Sequence, residues 1–287
     1  MNSFEAALRK LVDDALKEDV GSGDHSTLCC IPADVKGKAV LKIKQEGILA
    51  GVEVAEKIFK YKKRNCNFAR HKQDGEEMSV GEIAFEVETL VHTILQLERL
   101  VLNCMQRMSG IATLTKQYTK KLERYKTKLL DTRKTTPNFR LLEKEAVRIG
   151  GGTNHRFGLY DMIMLKDNHI DFCSGIEEAI NKAHDYVQRY HPHLKIEVET
   201  RSLDDVSKAL DVGKGKIFRL MLDNFKPGEI TEALKMIDGA FETEASGGIN
   251  LENIEEYAAT GLDYISVGAV IHQAKSLDLS LKAIITE

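Results

Sequence analysis

The stretch MIMLKDNHIDFCSGIEEAINKAHDYVQRYHPHLKIEVE (162–199) decides the fold. It opens on an apolar run, Met162 to Leu165, that passes into Lys166, Asp167, Asn168 and His169. An amphipathic segment, 174–188, follows, and a second apolar run from Ile196 ends on Glu199. Strand, helix and strand in that order make one β/α unit, with two parallel strands joined by a crossover helix.

The pattern recurs on both sides. Leu129-Leu130 runs into Asp131-Thr132-Arg133-Lys134, and Ile217 to Leu222 ends at Asp223-Asn224. Phe241 to Ala245 ends at Ser246-Gly247-Gly248, and Tyr264-Ile265 ends at Ser266-Val267-Gly268. Further amphipathic segments cover 202–212, 228–238 and 251–260. A parallel β/α barrel closes such units economically, and its active sites lie at the shared C-terminal strand ends. Polar residues fall there at all six strands, which points to an enzyme.

Ahead of residue 128 the pattern differs. Residues 4–17 carry apolar side chains at helical spacing, and Gly21, Gly23 and Asp24 end that helix, with a turn or cap role for Asp24. Residues 38–50 and 83–88 alternate like strands. From residue 90, Leu90, Ile94, Leu97, Val101, Met105 and Met108 line one face of a long helix. The basic run Lys60 to Arg64 reads as a solvated loop or helix end. We expect an N-terminal domain over 1–113 and a barrel domain over 114–287, whose final segment can pack back on the first.

With 287 residues, 43% of them hydrophobic, the chain can bury one large core or two modest ones. Its 44 acidic and 41 basic residues leave a net charge of -3, so no global field exists to hold nucleic acid or an anionic membrane. Cys29, Cys30, Cys66, Cys104 and Cys173 form no C-x-x-C pair. They read as reduced thiols, mostly buried, of a cytoplasmic protein, and the N-terminal stretch has no secretory apolar region.

Positive charge must therefore be gathered locally, and 131–169 gathers it. Arg133, Lys134 and Lys166 stand just beyond apolar strands, where guanidinium forks and ammonium groups can take carboxylates or phosphates. Arg140, Lys144 and Arg148, at i, i+4 and i+8 of a helix, read instead as surface charge paired with Glu143, Glu145 and Asp161. Glu199 and Asp223 close consecutive strands and can bind a hydrated Mg²⁺, act as acid and base, or pair with the cations opposite. Glu197, two residues before Glu199, points to the same face but deeper, toward a barrel-interior ion pair with Lys195 or another base. The glycines after Ser246 and Ser266 let backbone N–H groups approach a phosphate. Cys104 lies in the long helix and reads as core.

The runs D-T-R-K-T-T-P (131–137), L-E-K (142–144), G-G-G-T-N-H-R-F-G-L-Y-D-M (150–162) and M-L-K-D-N-H (164–169) resemble the quinolinate phosphoribosyltransferases. So do E-D-V-G-S-G-D-H-S-T (18–27), E-R-L-V-L-N (98–103), L-D-N-F (222–225), E-A-S-G-G-I (244–249) and I-S-V-G-A (265–269). The resemblance implies an α/β chain, an N-terminal α/β sandwich domain followed by an incomplete parallel β/α barrel. It implies transfer of phosphoribose from phosphoribosyl pyrophosphate to quinolinate with Mg²⁺, releasing pyrophosphate and CO₂. It also implies a homo-oligomer in which Arg99 reaches the site of a neighbouring subunit. On the matching segments, Arg133, Thr135, His155, Arg156 and Lys166 would bind substrate, with Lys134 where the two substrates meet. Glu199 and Asp223 would face the ribose and Mg²⁺, while Ser246, Gly247, Gly248, Ser266, Val267 and Gly268 would hold the 5′-phosphate. Asn138 stands where the family pattern leads one to expect glycine, which predicts a left-handed backbone there. A related transferase with another acceptor (nicotinate, or a molybdenum-transport-associated type), or a Schiff-base aldolase through Lys166 or Lys134, are the alternatives.

Overall fold

The computed structural model describes residues 3–63 and 65–284. They fall into two compact units: 1–116, 135–151 and 270–287 in one, and 117–134 with 152–269 in the other. In chain order the elements begin with α1 (Ser3–Asp19), α2 (His25–Cys30), β1 (Lys36–Ile43), β2 (Gly47–Ile48) and α3 (Val52–Lys62). Then come β3 (Asn67–Arg70), β4 (Glu77–Met78), β5 (Ile83–Leu90), α4 (Val91–Leu122), β6 (Lys128–Leu130) and α5 (Arg140–Ile149). The series continues with β7 (Ile163–Leu165), α6 (Asp167–Phe172), α7 (Ile176–Tyr190), β8 (Ile196–Thr200), α8 (Leu203–Gly213) and β9 (Arg219–Asp223). It ends with α9 (Pro227–Ile237), β10 (Glu242–Ser246), α10 (Ile254–Ala258), β11 (Tyr264–Ser266), α11 (Ala269–His272) and β12 (Leu279–Ile284).

The first unit is built on an antiparallel sheet in the order β12-β1-β5-β3. Alternation along β5 buries Phe85 and Val87 while Glu88 faces out. The Phe85 ring stacks on Phe68 at 4.5 Å and meets Phe59 of α3 edge-on. Ile94, Leu97, Val101, Met105 and Met108 of α4 are buried as their spacing predicts, whereas Leu90 closes β5 instead. Asp24 caps α2, its carboxylate accepting the Thr27 N–H at 3.1 Å. Lys60 and Lys62 end α3, and Arg64 lies outside the described residues. The single strand expected over 38–50 divides in two. Gly47 lies so close to Thr113 and Leu277 that a Cβ would fall 2.6 Å from each, and β2 leaves the sheet there to pair with β4.

Two expectations about charge and sulfur need correcting. Glu143 and Lys144 are buried on α5, not solvated. The Glu143 carboxylate takes the Arg107 Nε at 2.9 Å, the Thr136 N–H at 2.7 Å and the Thr136 hydroxyl at 2.9 Å, so that helix face is turned inward. Asp161 accepts the backbone N–H groups of Phe157 and Gly158. Arg148 keeps the expected surface pairing, with Glu145 at 2.6 Å. Of the cysteines, Cys66 and Cys104 are buried, but Cys29 and Cys30 are exposed because they close the short surface helix α2.

The second unit holds six parallel strands in the order β6-β11-β10-β9-β8-β7. Consecutive strands from β7 to β11 are neighbours, as crossover helices require, and β6 adds itself beside β11. An isolated bridge pairs Leu130 with Thr153 on the far side of β6. No pairing joins β6 to β7 among the described residues, so the barrel is incomplete. One sheet face is apolar: Val198, Leu220, Leu222, Ala245 and Ile265 are fully buried there. The alternate residues form the inner face, where Met162, Met164 and Met221 make an apolar floor among charged side chains.

Candidate active site

Strand register builds the site. Met164 is level with Glu197, so two residues further Lys166 comes level with Glu199 on the same face. The pair closes at 2.8 Å between Lys166 Nζ and Glu199 Oε2, with the Asp167 N–H at 3.4 Å from Oε1. Glu199 is level with Met221, which places Asp223 two residues above it, again on the inner face. The half-buried Asp223 carboxylate accepts the Ser246 hydroxyl at 2.5 Å and the Asn224 side-chain N–H at 2.6 Å. The cation and carboxylates expected from these strand ends are thus brought together.

The loop after β6 and the segment before β7 supply further cations. Asp131 is fully buried, and its carboxylate accepts the His155 N–H at 2.8 Å and the Asn154 amide at 2.7 Å. It therefore ties segment 153–156 to the end of β6. Arg133 and Arg156 are close enough that Arg133, after burial, helps to depress the Arg156 pKa. Arg156 Nη1 donates to the Met162 carbonyl at 3.1 Å, which aims the guanidinium. Lys134 is exposed, with its N–H on the Thr132 hydroxyl at 3.0 Å. Two like charges held together on two half-buried segments, one after β6 and one before β7, make a place that an anion stabilises.

His155 lies lower. Its Nε2 is 3.1 Å from Glu197 and 3.2 Å from Glu244, both fully buried, and Nδ1 accepts the Arg156 N–H at 2.7 Å. Arg219 joins the layer at 2.9 Å from Glu244 and 2.9 Å from Glu242, with its guanidinium over the Tyr264 ring at 4.1 Å. Burial would lower the His155 pKa, but the two carboxylates overcome it and lift it to about 9. Burial and the neighbouring Glu244 push Glu197 up to about 7. At Glu244 burial works upward too, but His155, Ser266 and Arg219 outweigh it and hold that carboxyl low. His155 and Glu197 thus compete for one extra proton, and the Arg156 N–H on Nδ1 favours placing it on Glu197. The interior partner foreseen for Glu197 is His155, at 3.1 Å, while Lys195 instead lies over the Phe218 ring at 3.7 Å. The oxygens of Glu197 and Glu244 and a nitrogen of His155 are grouped as metal ligands could be. Arg219 already brings positive charge to them, so a dication there would face a guanidinium.

The two glycine turns differ. Gly247 and Gly248 have φ of 93° and 64°, and a Cβ on Gly247 would fall 2.1 Å from Asn224 Oδ1, so the turn after β10 demands glycine. After β11, the Ser266 side chain is drawn inward to Glu244 and the Val267 N–H goes to the Leu130 carbonyl at 3.0 Å. Gly268 alone of that trio has no such commitment among the bonds just described. Arg99 and Thr135 belong to the first unit: Arg99 is exposed on α4, and the Thr135 hydroxyl accepts from Arg140 Nε at 2.9 Å. Asn138 has φ 61°, the left-handed backbone foreseen for it. Arg219, Glu242 and Glu244 were missed as a group, although Glu242 and Glu244 recur with period two on their strand.

The chain is similar to known proteins along nearly its whole length. The family model for the quinolinate phosphoribosyl transferase N-terminal domain matches residues 24–109, and that for the C-terminal domain matches 111–282. A quinolinate phosphoribosyltransferase [decarboxylating] from Nicotiana tabacum is 41% identical over 288 residues, covering 96% of this chain and 82% of the relative. A probable nicotinate-nucleotide pyrophosphorylase [carboxylating] from Bacillus subtilis is 41% identical, covering 96% and 92%. The crystal structure of NadC from Streptococcus pyogenes superposes with a TM-score of 0.88 at 37% identity, covering 97% of each chain. Matched in both domains and along nearly its whole length, the chain belongs to the quinolinate phosphoribosyltransferase family.

Proposed function

We propose that this protein transfers the phosphoribosyl group of phosphoribosyl pyrophosphate to quinolinate and releases pyrophosphate and CO₂, giving nicotinate mononucleotide. The observation that carries the reading is the division of charge at the strand ends. Arg133, Arg156 and Lys166 gather positive charge for a dicarboxylate, while Glu199 and Asp223 stand beside them for the sugar.

In this reading the pyridine nitrogen attacks the anomeric carbon as the bond to pyrophosphate breaks. Positive charge grows on the ribose ring, and Glu199 and Asp223 stabilise it electrostatically. Lys134, exposed beside Arg133, meets the departing pyrophosphate. The new pyridinium then accepts the electron pair left at C2 when the adjacent carboxylate departs as CO₂, and C2 takes up a proton. Arg133 and Arg156 orient the acceptor for both steps, and the turn at Gly247-Gly248 holds the 5′-phosphate, with Gly268 at the end of the neighbouring strand. Glu199 and Asp223 offer oxygen donors on adjacent strands, which suits hydrated Mg²⁺ better than a closed protein cage. Bound there with pyrophosphate, Mg²⁺ would neutralise the leaving group.

The test is to incubate the purified protein with quinolinate, phosphoribosyl pyrophosphate and Mg²⁺ and to follow nicotinate mononucleotide and CO₂. Product from nicotinate but none from quinolinate would overturn the assignment. The proposal extends to a cytoplasmic homo-oligomer, in keeping with the five free thiols. Arg99 would complete a site on another subunit. Arg99→Ala and Lys134→Ala are each expected to be inactive, and mixing them should restore activity by forming one intact site per pair. Mixtures that stay dead would count against sharing.

A further inference from the structure

Beneath the strand-end cations lies a charged layer that the transfer chemistry leaves unused. Glu197 of β8 is level with Arg219 of β9, which is level with Glu242 of β10, and Glu244 follows two residues on. His155 enters this layer from the segment beside β6, with Nε2 between the Glu197 and Glu244 carboxylates. Its other ring nitrogen accepts the Arg156 N–H, and its own N–H is held by Asp131. The backbone at His155 and Arg156 is therefore gripped through both N–H groups. Both ring nitrogens face protein groups, and the side chain is only 5% exposed.

We propose that Glu197, Glu244 and Arg219 are positioning residues that act through His155 to fix Arg156 in the acceptor pocket. Affinity for the dicarboxylate is then set partly by a buried layer that never touches it. The inference rests on quinolinate being the acceptor. The His155 imidazole links the barrel interior to the Arg156 backbone. Arg219 gives the layer its direction. Bonded to Glu244 and Glu242, it holds Glu244 from one side while His155 meets it from the other.

Substitutions of matched size separate strut from ligand. Glu244→Gln keeps volume and reach to Ser266 but loses the charge that holds Nε2. His155→Asn leaves an oxygen near Nδ1 to accept the Arg156 N–H, whereas His155→Gln reaches the carboxylates and loses that acceptor. We expect Glu244→Gln and His155→Gln to raise the quinolinate KM roughly tenfold with the phosphoribosyl pyrophosphate KM within about twofold. His155→Asn should lie about fivefold closer to wild type than His155→Gln. Quinolinate binding without the second substrate, followed by calorimetry, should weaken in the same order. Equal rises in both KM values, a fall in kcat alone, or an Asn variant as poor as Gln would overturn the inference. If Glu244→Gln melts early, Arg219→Lys, which keeps the charge but not the paired bonds to Glu244 and Glu242, takes its place with the same expected rise in the quinolinate KM. Wild-type protein that binds no quinolinate would overturn the acceptor assignment first, whereas normal binding by every variant would overturn only the strut.

Discussion

At the scale of single residues, His155 couples stability to pH. Together with Glu197 it keeps a proton in the folded state that a free imidazole gives up near 6.5, the His155 value being raised to about 9, so the contribution of the pair is fully present below about 6.5 and disappears as pH climbs through 9. Glu197, raised from 4.5 to about 7, shifts in the same sense at lower pH. Melting temperatures should therefore fall between pH 6.5 and 9, by up to about 3 kcal/mol of stability for the full His155 shift. His155→Asn should flatten that slope, and an unchanged slope would show the proton resides elsewhere. Gly247 gives a second expectation. A methyl group there meets Asn224 at 2.1 Å in a left-handed backbone, so Gly247→Ala should cost about 2 kcal/mol and raise the phosphoribosyl pyrophosphate KM more than the quinolinate KM. Thermal melts and steady-state kinetics on one preparation would check both parts.

At the scale of elements, the sequence was most readable where a strand runs into polar residues. All six strand ends foreseen from 129 to 268 are strand ends in the structure, because a short apolar run followed by glycine, lysine or carboxylate leaves the chain few other conformations. The inner layer was harder to foresee. Arg219, Glu244 and Glu197 share a face only because β8, β9 and β10 pair in one register, and nothing within a single strand reveals its partner's register. Lys166 and Glu199 were each visible, but their pairing had to wait for that same register. Glu143 and Lys144 misled for a related reason: helical spacing identifies a face without saying which neighbour covers it. The two faces of the sheet should respond differently to mutation. Leu220→Ala, on the apolar face, should cost about 2–5 kcal/mol in denaturant titration while leaving both KM values within about twofold. A large KM change from Leu220→Ala would blur the distinction between scaffold face and working face.

At the scale of the whole molecule, each compact unit gathers residues from distant parts of the chain. In the first unit β12 lies against β1, where Leu279 and Leu281 are buried. A variant ending at Asp278 should lose about 3–6 kcal/mol through those two leucines and the vacated strand edge. Circular dichroism melts would detect the loss, and an unchanged midpoint would mean that β12 is decoration. The same pairing has a consequence during synthesis. The ribosome makes residues 36–43 early and 279–284 late, so one flank of β1 waits, with unsatisfied N–H and carbonyl groups, while the barrel strands emerge. The nascent chain is therefore exposed to edge-to-edge association throughout that interval, and chaperone demand should track translation speed more than final stability.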